Sequence, residues 1–175
     1  MGSVGTMTKL FQIRWLPLAL AAGMITVPLD AQSGGLAEIG DNLSSRSALE
    51  GTCVTLVVSG DDVSDRCHNV VLNTAYKDGR AEFVFLARDL ATASFSGDEE
   101  TDTADGTTLR VDRVILATLQ NNKPLPITLP ANGTCVYSTP DFGRGKLTCI
   151  ANTVRGSFSG SFVTNGKTPK TERFQ

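Results

Sequence analysis

The four-residue stretch Gly51–Val54, GTCV, recurs without change at positions 133–136. In each copy a second cysteine follows 14 positions after the first, at Cys67 and at Cys149. Short runs of β-forming residues flank a polar turn between the cysteines of each copy, which is typical of a hairpin. The recurrence therefore predicts two related hairpins, each closed by its own disulfide, within repeat units near residues 51–86 and 133–164.

Four cysteines allow three pairings. The equal spacing favours Cys53 with Cys67 and Cys135 with Cys149, and a bridge from sheet to sheet is the alternative. Each closed loop of about 15 residues contributes about 3 kcal/mol if the geometry is unstrained. A zinc site requires ligands two to four positions apart, and these cysteines do not have that spacing.

The first 31 residues differ in character from the rest of the chain. Lys9 and Arg14 precede an apolar run, Trp15–Leu29, that ends just before Ala31. This order resembles a secretory signal peptide, and the run is shorter than the roughly 20 residues that span a bilayer. We expect export to the periplasm or the extracellular space, cleavage near Ala31, and no stable membrane span afterwards. An uncleaved anchor or peripheral helix is the alternative.

Beyond the leader the chain has room for one domain. Residues 32–47 are rich in small polar residues and predict a flexible lead-in, and residues 167–175 predict a frayed tail. Residues 48–166 alternate short β-forming runs with turn residues, which is typical of an all-β fold. We predict a mostly antiparallel sandwich or small barrel of about eight or nine strands.

Several runs carry more specific predictions. The segment Lys77–Arg80 contains Asp-Gly and predicts a type I′ hairpin turn. Phe83 and Phe85 in the run that follows should face the core, and Phe158 and Phe162 near the end of the chain should share one face, with Gly160 between them.

The longest predicted strand is Thr107–Leu119. Strict alternation places Arg113 on the same face as its apolar residues. After it, Pro126 and Pro130 bracket a short run that can only be an edge strand, because proline cannot donate to a central ladder.

Residues 98–106 form an acidic segment without a large apolar side chain, which predicts a solvated loop. Calcium takes several oxygen ligands on such loops, although threonines occupy the positions where an EF-hand needs acids. The weak calcium candidates are Asp98, Glu99, Glu100, Asp102 and Asp105.

Catalytic motifs fail on inspection. His68 is the single histidine, and alternation along its strand places it on the face opposite Cys67. The stretch Gly156–Gly160 has Phe158 where a nucleophile elbow requires serine. No pair of carboxylates is singled out for glycoside chemistry. We assign no catalytic or cofactor-binding residue, and no cofactor, from the sequence.

Charge is unevenly distributed along the chain. Residues 32–112 carry 6 basic and 15 acidic side chains, whereas residues 113–175 carry 8 basic and 2 acidic ones. Residues 32–175 together carry 14 basic and 17 acidic side chains, and this net negative charge argues against nucleic acid as a partner. The halves would form a dipole only if they occupy different faces of the fold.

Three functions remain, in order of preference. The first is an exported, non-enzymatic binding or interaction protein that uses its loops, mainly 98–106 and 140–145, to contact an unknown protein. The second is a carrier with a lipocalin-like barrel for a small hydrophobic ligand. The third, a carboxylate-based hydrolase, has the least support.

Overall fold

The structure of the protein is a computed structural model that describes residues 42–88, 90–103, 106–120, 123–141 and 143–175. The predicted signal peptide and the lead-in as far as residue 41 lie outside the described residues. Eleven elements follow one another along the described chain, and one of them is a single turn of 3-10 helix. They are β1 Leu43–Val58, β2 Asp61–Asp62, the 3-10 turn Ser64–Arg66, β3 Cys67–Tyr76, β4 Ala81–Ala87, β5 Leu90–Thr103, β6 Gly106–Gln120, β7 Lys123–Asp141, β8 Arg144–Thr153, β9 Gly156–Thr164 and β10 Lys170–Arg173.

The sheet closes on itself. From β3 to β9 every strand pairs antiparallel with the next one in sequence, and β1 pairs with both β3 and β9. Residues 43–50 of β1 face β3, and residues 51–57 face β9. These eight strands form a closed antiparallel barrel, to which β2 and β10 are added. The all-β prediction is confirmed, and the architecture is a barrel rather than a sandwich.

Aromatic rings fill the barrel. Phe85, Phe95, Phe158 and Phe162 are almost completely buried, and the rings of Phe85 and Phe95 meet edge to face with centroids 5.7 Å apart. A Cβ atom added to Gly160 would lie 2.5 Å from the Phe85 ring, although their strands are not neighbours in the sheet. The absence of a side chain at Gly160 therefore makes room for Phe85. The inward orientation predicted for Phe83 and Phe85 is confirmed, and Phe158 and Phe162 share the inner face of β9.

Both predicted disulfides are present, and they differ in setting. Cys135 and Cys149 lie directly opposite each other in the β7–β8 ladder, inside the barrel. Cys53 lies in the part of β1 that pairs with β9, and β2 and the 3-10 turn separate it from Cys67 along the chain. Both of these cysteines are half-buried. The two hairpins are thus built differently, and their origin as a repeat stays a prediction.

The C-terminal tail is ordered, which corrects the expectation of a frayed end. β10 pairs with residues 45–48 of β1, on the edge that β9 leaves after Thr164. The hydroxyl groups of Ser47 and Thr171 are 2.8 Å apart, and Lys170 lies 3.6 Å from Glu50. An unpaired strand edge thus provides the hydrogen bonds that order a short polar segment. Pairing with β3 extends β1 back to Leu43, so residues 43–47 belong to the barrel and not to the lead-in.

The acidic segment is also ordered, since β5 continues to Thr103 and pairs with β6. Glu100 lies opposite Leu109, and the Thr107 hydroxyl donates to Asp102 across the hairpin, at 2.8 Å. The prediction of a solvated loop was wrong because cross-strand pairing does not require apolar side chains where the hairpin projects beyond the core.

Arg113 faces outward, contrary to the prediction. The register of β6 shifts between Val111 and Arg113, where Asp112 has no partner on β5. Such a β-bulge reverses the alternation, because the side-chain period of a strand is two residues. Val114 is buried inside the barrel, and Arg113 is turned to its outer surface.

Two further details correct the predicted connections. Gly79 has a positive φ of 88° while Asp78 does not, so the β3–β4 turn is not of type I′, which requires both. The proline-containing run is not a separate strand but the first part of β7. It pairs with β6 alone until Ala131, where pairing with β8 begins, and its predicted edge position is confirmed.

The sequential strand order also separates the charges. β3, β4 and β5 form one side of the barrel, and β7, β8 and β9 form the other. The acid-rich and base-rich parts of the chain therefore contribute different walls and do not interleave. Within the described residues we find no helix with the length and apolar character of a membrane span.

Replacing Gly160 by alanine should destabilise the protein by about 1–3 kcal/mol, because the added methyl group overpacks against Phe85. Urea unfolding followed by circular dichroism measures the effect. Ser159→Ala, at a neighbouring outward position, is the control and should change stability little. Equal stability of both variants would contradict the packing described for Phe85.

The two disulfides should differ in their response to a mild reductant under native conditions. Cys53–Cys67 should be reduced first because it is half-buried, whereas both cysteines of Cys135–Cys149 are fully buried. Alkylation at timed intervals followed by mass spectrometry identifies the reduced pair. Simultaneous reduction of both bonds at a reductant concentration that leaves the protein folded would contradict this order.

Candidate ligand-binding groove

A groove of about 720 Å³ crosses the outer face of the barrel over β3, β4 and β5, with β1 and β6 at its sides. Its volume falls within the usual range for small-molecule sites. The lining residues share an outward orientation or lie at the β3–β4 end of the barrel. They are Asn42, Arg46, Leu72, Thr74, Tyr76, Asp78, Arg80, Glu82, Val84, Leu86, Thr92, Ser94, Ser96, Arg113 and Ile115.

The floor of the groove is polar and deeply recessed. Thr74 is 2% exposed, Glu82 7% and Ser94 3%, although alternation turns all three away from the barrel interior. Outward-facing polar side chains on a barrel are ordinarily exposed, and acidic ones are seldom buried without a partner. These three side chains are therefore recessed within the groove.

The carboxylate of Glu82 is held in place by one hydrogen bond. The Tyr76 hydroxyl donates to Oε2 of Glu82 at 2.6 Å. Burial raises the pKa of Tyr76, and the negative charge of Glu82 raises it further. The phenol therefore stays protonated over the physiological range and remains a donor to Glu82.

The other oxygen of Glu82 is available. Oε1 accepts no hydrogen bond from the described residues, and the same is true of the hydroxyl oxygens of Thr74 and Ser94. Among the described residues, no fully buried side-chain oxygen or nitrogen lacks a partner. These three oxygens must therefore reach the open space of the groove, where a ligand or solvent can meet them.

Arginines stand at both ends of the polar floor. Cross-strand register places Arg46 beside Thr74, Thr74 beside Glu82, Glu82 beside Ser96, and Ser96 beside Arg113. The row crosses five strands, so its ends are about 19 Å apart along the sheet at the usual strand spacing. Its charges follow the order positive, negative, positive.

A second row of the groove is largely apolar. Leu72 lies beside Val84, Val84 beside Ser94, and Ser94 beside Ile115. The groove therefore offers a ligand a polar stripe and a parallel, largely apolar stripe. The two stripes are two residues apart along the strands, and Ser94 is the polar member of the second.

The end of the groove near Arg80 is braced by ion pairs. The Arg80 guanidinium contacts both oxygens of Asp112, with Nη1 3.2 Å from Oδ2, and the Nε of Arg113 lies 3.2 Å from Asp112. Asp98 approaches Arg80 to 4.0 Å and Arg110 to 3.4 Å. Asp98 and Asp112 are the two bulged residues of the β5–β6 ladder, so the bulges deliver both carboxylates to Arg80.

Two carboxyl groups at this end have a lowered pKa. Burial acts to raise the pKa of Asp112, but the hydrogen bonds and charge of Arg80, with those of Arg113, outweigh it and lower the pKa. The backbone N–H of Arg80 and the Asn42 amide lower the pKa of Asp78. Both groups are therefore ionised at neutral pH.

A smaller cavity of about 320 Å³ lies inside one end of the barrel. Leu49, Phe83, Leu109 and Tyr137 form its apolar wall. Glu100 and Thr107 stand at its rim, with Pro169 from the segment before β10. The middle of the barrel is filled by the four buried phenylalanines, so the cavity is confined to this end.

The three calcium candidates whose side chains the structure describes have separate surroundings. Asp98 is paired with arginines, Asp102 accepts from Thr107, and Glu100 lines the end cavity. The Glu99 side chain and Asp105 lie outside the described residues. Over the part of the chain that the structure describes, there is no group of three residues able to hold a metal ion.

The other sites named from the sequence lie apart from the groove. His68 is exposed near the start of β3. Of the segment 140–145, residues 140 and 141 end β7 and residues 144 and 145 begin β8, and residue 142 lies outside the described residues.

The groove was not predicted because most of its lining residues look like other outward-facing strand residues in the linear sequence. Glu82 occupies an outward position of an alternating strand, which predicts exposure, and only the folded structure shows that it is buried. Strict alternation assigned Arg113 to the wrong face, because it does not allow for the bulge at Asp112. A run of small outward residues on β5, Thr92, Ser94 and Ser96, was the signal that this surface could be recessed.

Comparison of the sequence with protein-family models, with curated proteins and with solved structures finds no match. The geometry of the groove and of the cavity therefore carries the functional argument alone.

Replacing Asp112 by asparagine should destabilise the protein at pH 7, and the difference from wild type should shrink below about pH 3.8. A carboxyl group whose pKa is lowered by folding stabilises the folded state above its unfolded pKa. That contribution is lost as the pH falls through the folded pKa. Urea unfolding at pH 7 and at pH 3 measures both differences.

Asp65→Asn is the matched control, because the Asp65 side chain is largely exposed and its contact with Arg66 is a surface one. Its stability should follow wild type at both pH values. An Asp112→Asn protein as stable as wild type at pH 7 would show that the contact with Arg80 does not support this end of the groove.

Proposed function

We propose that the protein is an exported, non-enzymatic binding protein and that the outer groove is its ligand site. The observation that carries the proposal is Glu82, a carboxylate 7% exposed that keeps one oxygen without a partner in a 720 Å³ groove. Holding a charged group in such a place costs free energy, and a partner that hydrogen-bonds to it offsets that cost.

The proposed export rests on the disulfides. Two bonds joining all four cysteines of the chain require an oxidising compartment, and bacterial periplasm or the extracellular space provides one. The resemblance of the first 31 residues to a signal peptide is consistent with this compartment.

A carrier function is the second candidate, and the end cavity favours it. The mouth of a β-barrel is a common ligand site, and 320 Å³ accommodates a small molecule with an apolar body. The groove is preferred because it is larger and contains recessed polar groups without partners. The hydrolase hypothesis needs one carboxyl group with a raised pKa beside an ionised one. The shifts at Asp78 and Asp112 are both downward and give it no support.

Nitrogen-15 NMR titration with four chemically different probes tests the proposal. The probes are maltotriose, trigalacturonate, lauric acid and tetraglutamate. At least one should shift the amide signals of Thr74, Glu82 and Ser94, because a ligand on the floor contacts the strands that carry them.

The location of the shifts separates the candidates. Shifts confined to Leu49, Phe83 and Leu109 would assign binding to the end cavity and overturn the groove as the ligand site. No shift with any of the four probes would count against the binding function itself.

A further inference from the structure

We infer that the groove recognises a short oligosaccharide that carries a carboxylate, of the uronic acid type. This inference rests on the proposed function and assigns the ligand class to the same site. Three features support it: the spacing of the free oxygens, the apolar stripe beside them and the guanidinium of Arg46.

The free oxygens suit a ligand with several hydroxyl groups. Glu82 Oε1 can only accept hydrogen bonds while ionised, and the hydroxyl groups of Thr74 and Ser94 can donate as well as accept. Thr74 and Glu82 are directly opposed across two strands, which sets their Cβ atoms about 5 Å apart. Ser94 lies on the next strand, one pleat away. A sugar presents hydroxyl groups at comparable intervals along its ring edge, in a way that a fatty acid does not.

The apolar stripe suits the face of a sugar ring. Leu72, Val84 and Ile115 lie in the row beside the polar floor and are half-buried rather than exposed. A pyranose ring has a face of C–H groups and an edge of hydroxyl groups, and the two stripes of the groove match these two surfaces. A wholly polar ligand would leave the apolar stripe in contact with water, and a wholly apolar one would leave Glu82 without a partner.

Arg46 supplies the preference for a carboxylate. It stands at one end of the polar row, is exposed, and forms no ion pair or hydrogen bond with the described residues. At the other end, Arg113 is already engaged by Asp112. A guanidinium that has no carboxylate of its own binds one bidentately.

The acidic groups of the groove disfavour more highly charged ligands. Glu82 and Asp78 line the groove, and Asp112 lies next to Arg80. A polyphosphate would place several negative charges beside these carboxylates, and like charges repel. A uronic acid trisaccharide carries only one carboxylate per ring, so one carboxylate can lie near Arg46 and the others can point to solvent while neutral hydroxyl groups lie over Glu82.

Isothermal titration calorimetry with trigalacturonate and maltotriose tests the inference, since the two are trisaccharides that differ in carboxylate content. Wild type should bind trigalacturonate about tenfold more tightly than maltotriose at low salt, the equivalent of one charge-assisted hydrogen bond. The preference should narrow as salt is added.

Two variants separate the parts of the groove. Arg46→Gln should lower the affinity for trigalacturonate to that for maltotriose and leave maltotriose binding unchanged. Glu82→Gln should weaken binding of both sugars by a similar factor, because it removes the charged acceptor shared by their hydroxyl groups. Arg155→Gln, in the β8–β9 turn, is the control and should alter neither affinity. Arg46 is exposed, so its replacement should leave the fold intact, and a thermal melt of each variant verifies this.

Each remaining outcome has a defined meaning. Maltotriose binding as tightly as trigalacturonate, or an Arg46→Gln protein that keeps the preference, would overturn the assignment of a carboxylated sugar. Shifts of the groove signals with lauric acid or tetraglutamate, while neither sugar binds, would overturn the ligand class and leave the groove as a binding site. Failure of all four probes would reject both the inference and the proposed function.

Discussion

The pairing of β1 with β9 is the constraint on which the rest of the structure depends. It joins the first strand of the described chain to one that begins about a hundred residues later, and it removes the open edges that an eight-stranded sheet would otherwise expose. Closure also fixes the interior volume. Gly160 faces Phe85 across that interior, so the choice of residue on β9 is set by a ring on β4.

β1 is longer than the segment 51–57 that pairs with β9. On the same edge, residues 45–48 of β1 pair with β10. The chain between β9 and β10 bends at Asn165-Gly166, and then returns to the same edge of β1. Lys167 and Lys170, which follow this bend, lie near Glu50, and their charges lower the pKa of Glu50. β9 and β10 thus act as one interrupted strand, which accounts for the order of a tail with little apolar character.

Much of the fold could be predicted from local sequence. Alternating β-forming runs and turn residues gave the class and the approximate strand positions, and equal spacing gave both disulfides. Features that depend on contacts between distant strands could not be predicted in this way. The bulge at Asp112 is stabilised by Arg80 of another hairpin, and no nearby residue marks it. The burial of Glu82 depends on its surroundings in the folded protein, so the sequence of β4 alone does not show it. The acidic end of β5 shows the converse case, because a segment that looked like a loop is held by its partner strand.

The order in which the strands join has a consequence for biogenesis. Neighbouring hairpins from β3 to β8 can form as soon as their residues are available, but the seam between β1 and β9 requires residues 157–164. Until those residues arrive, β1 and β8 both keep an exposed edge, which is a hazard for association with other chains. In a nascent chain that crosses a membrane as an extended thread, residues 157–164 emerge near the end of transit, so the edges of β1 and β8 stay exposed until then. The seam would then close only once the whole polypeptide had reached the far side.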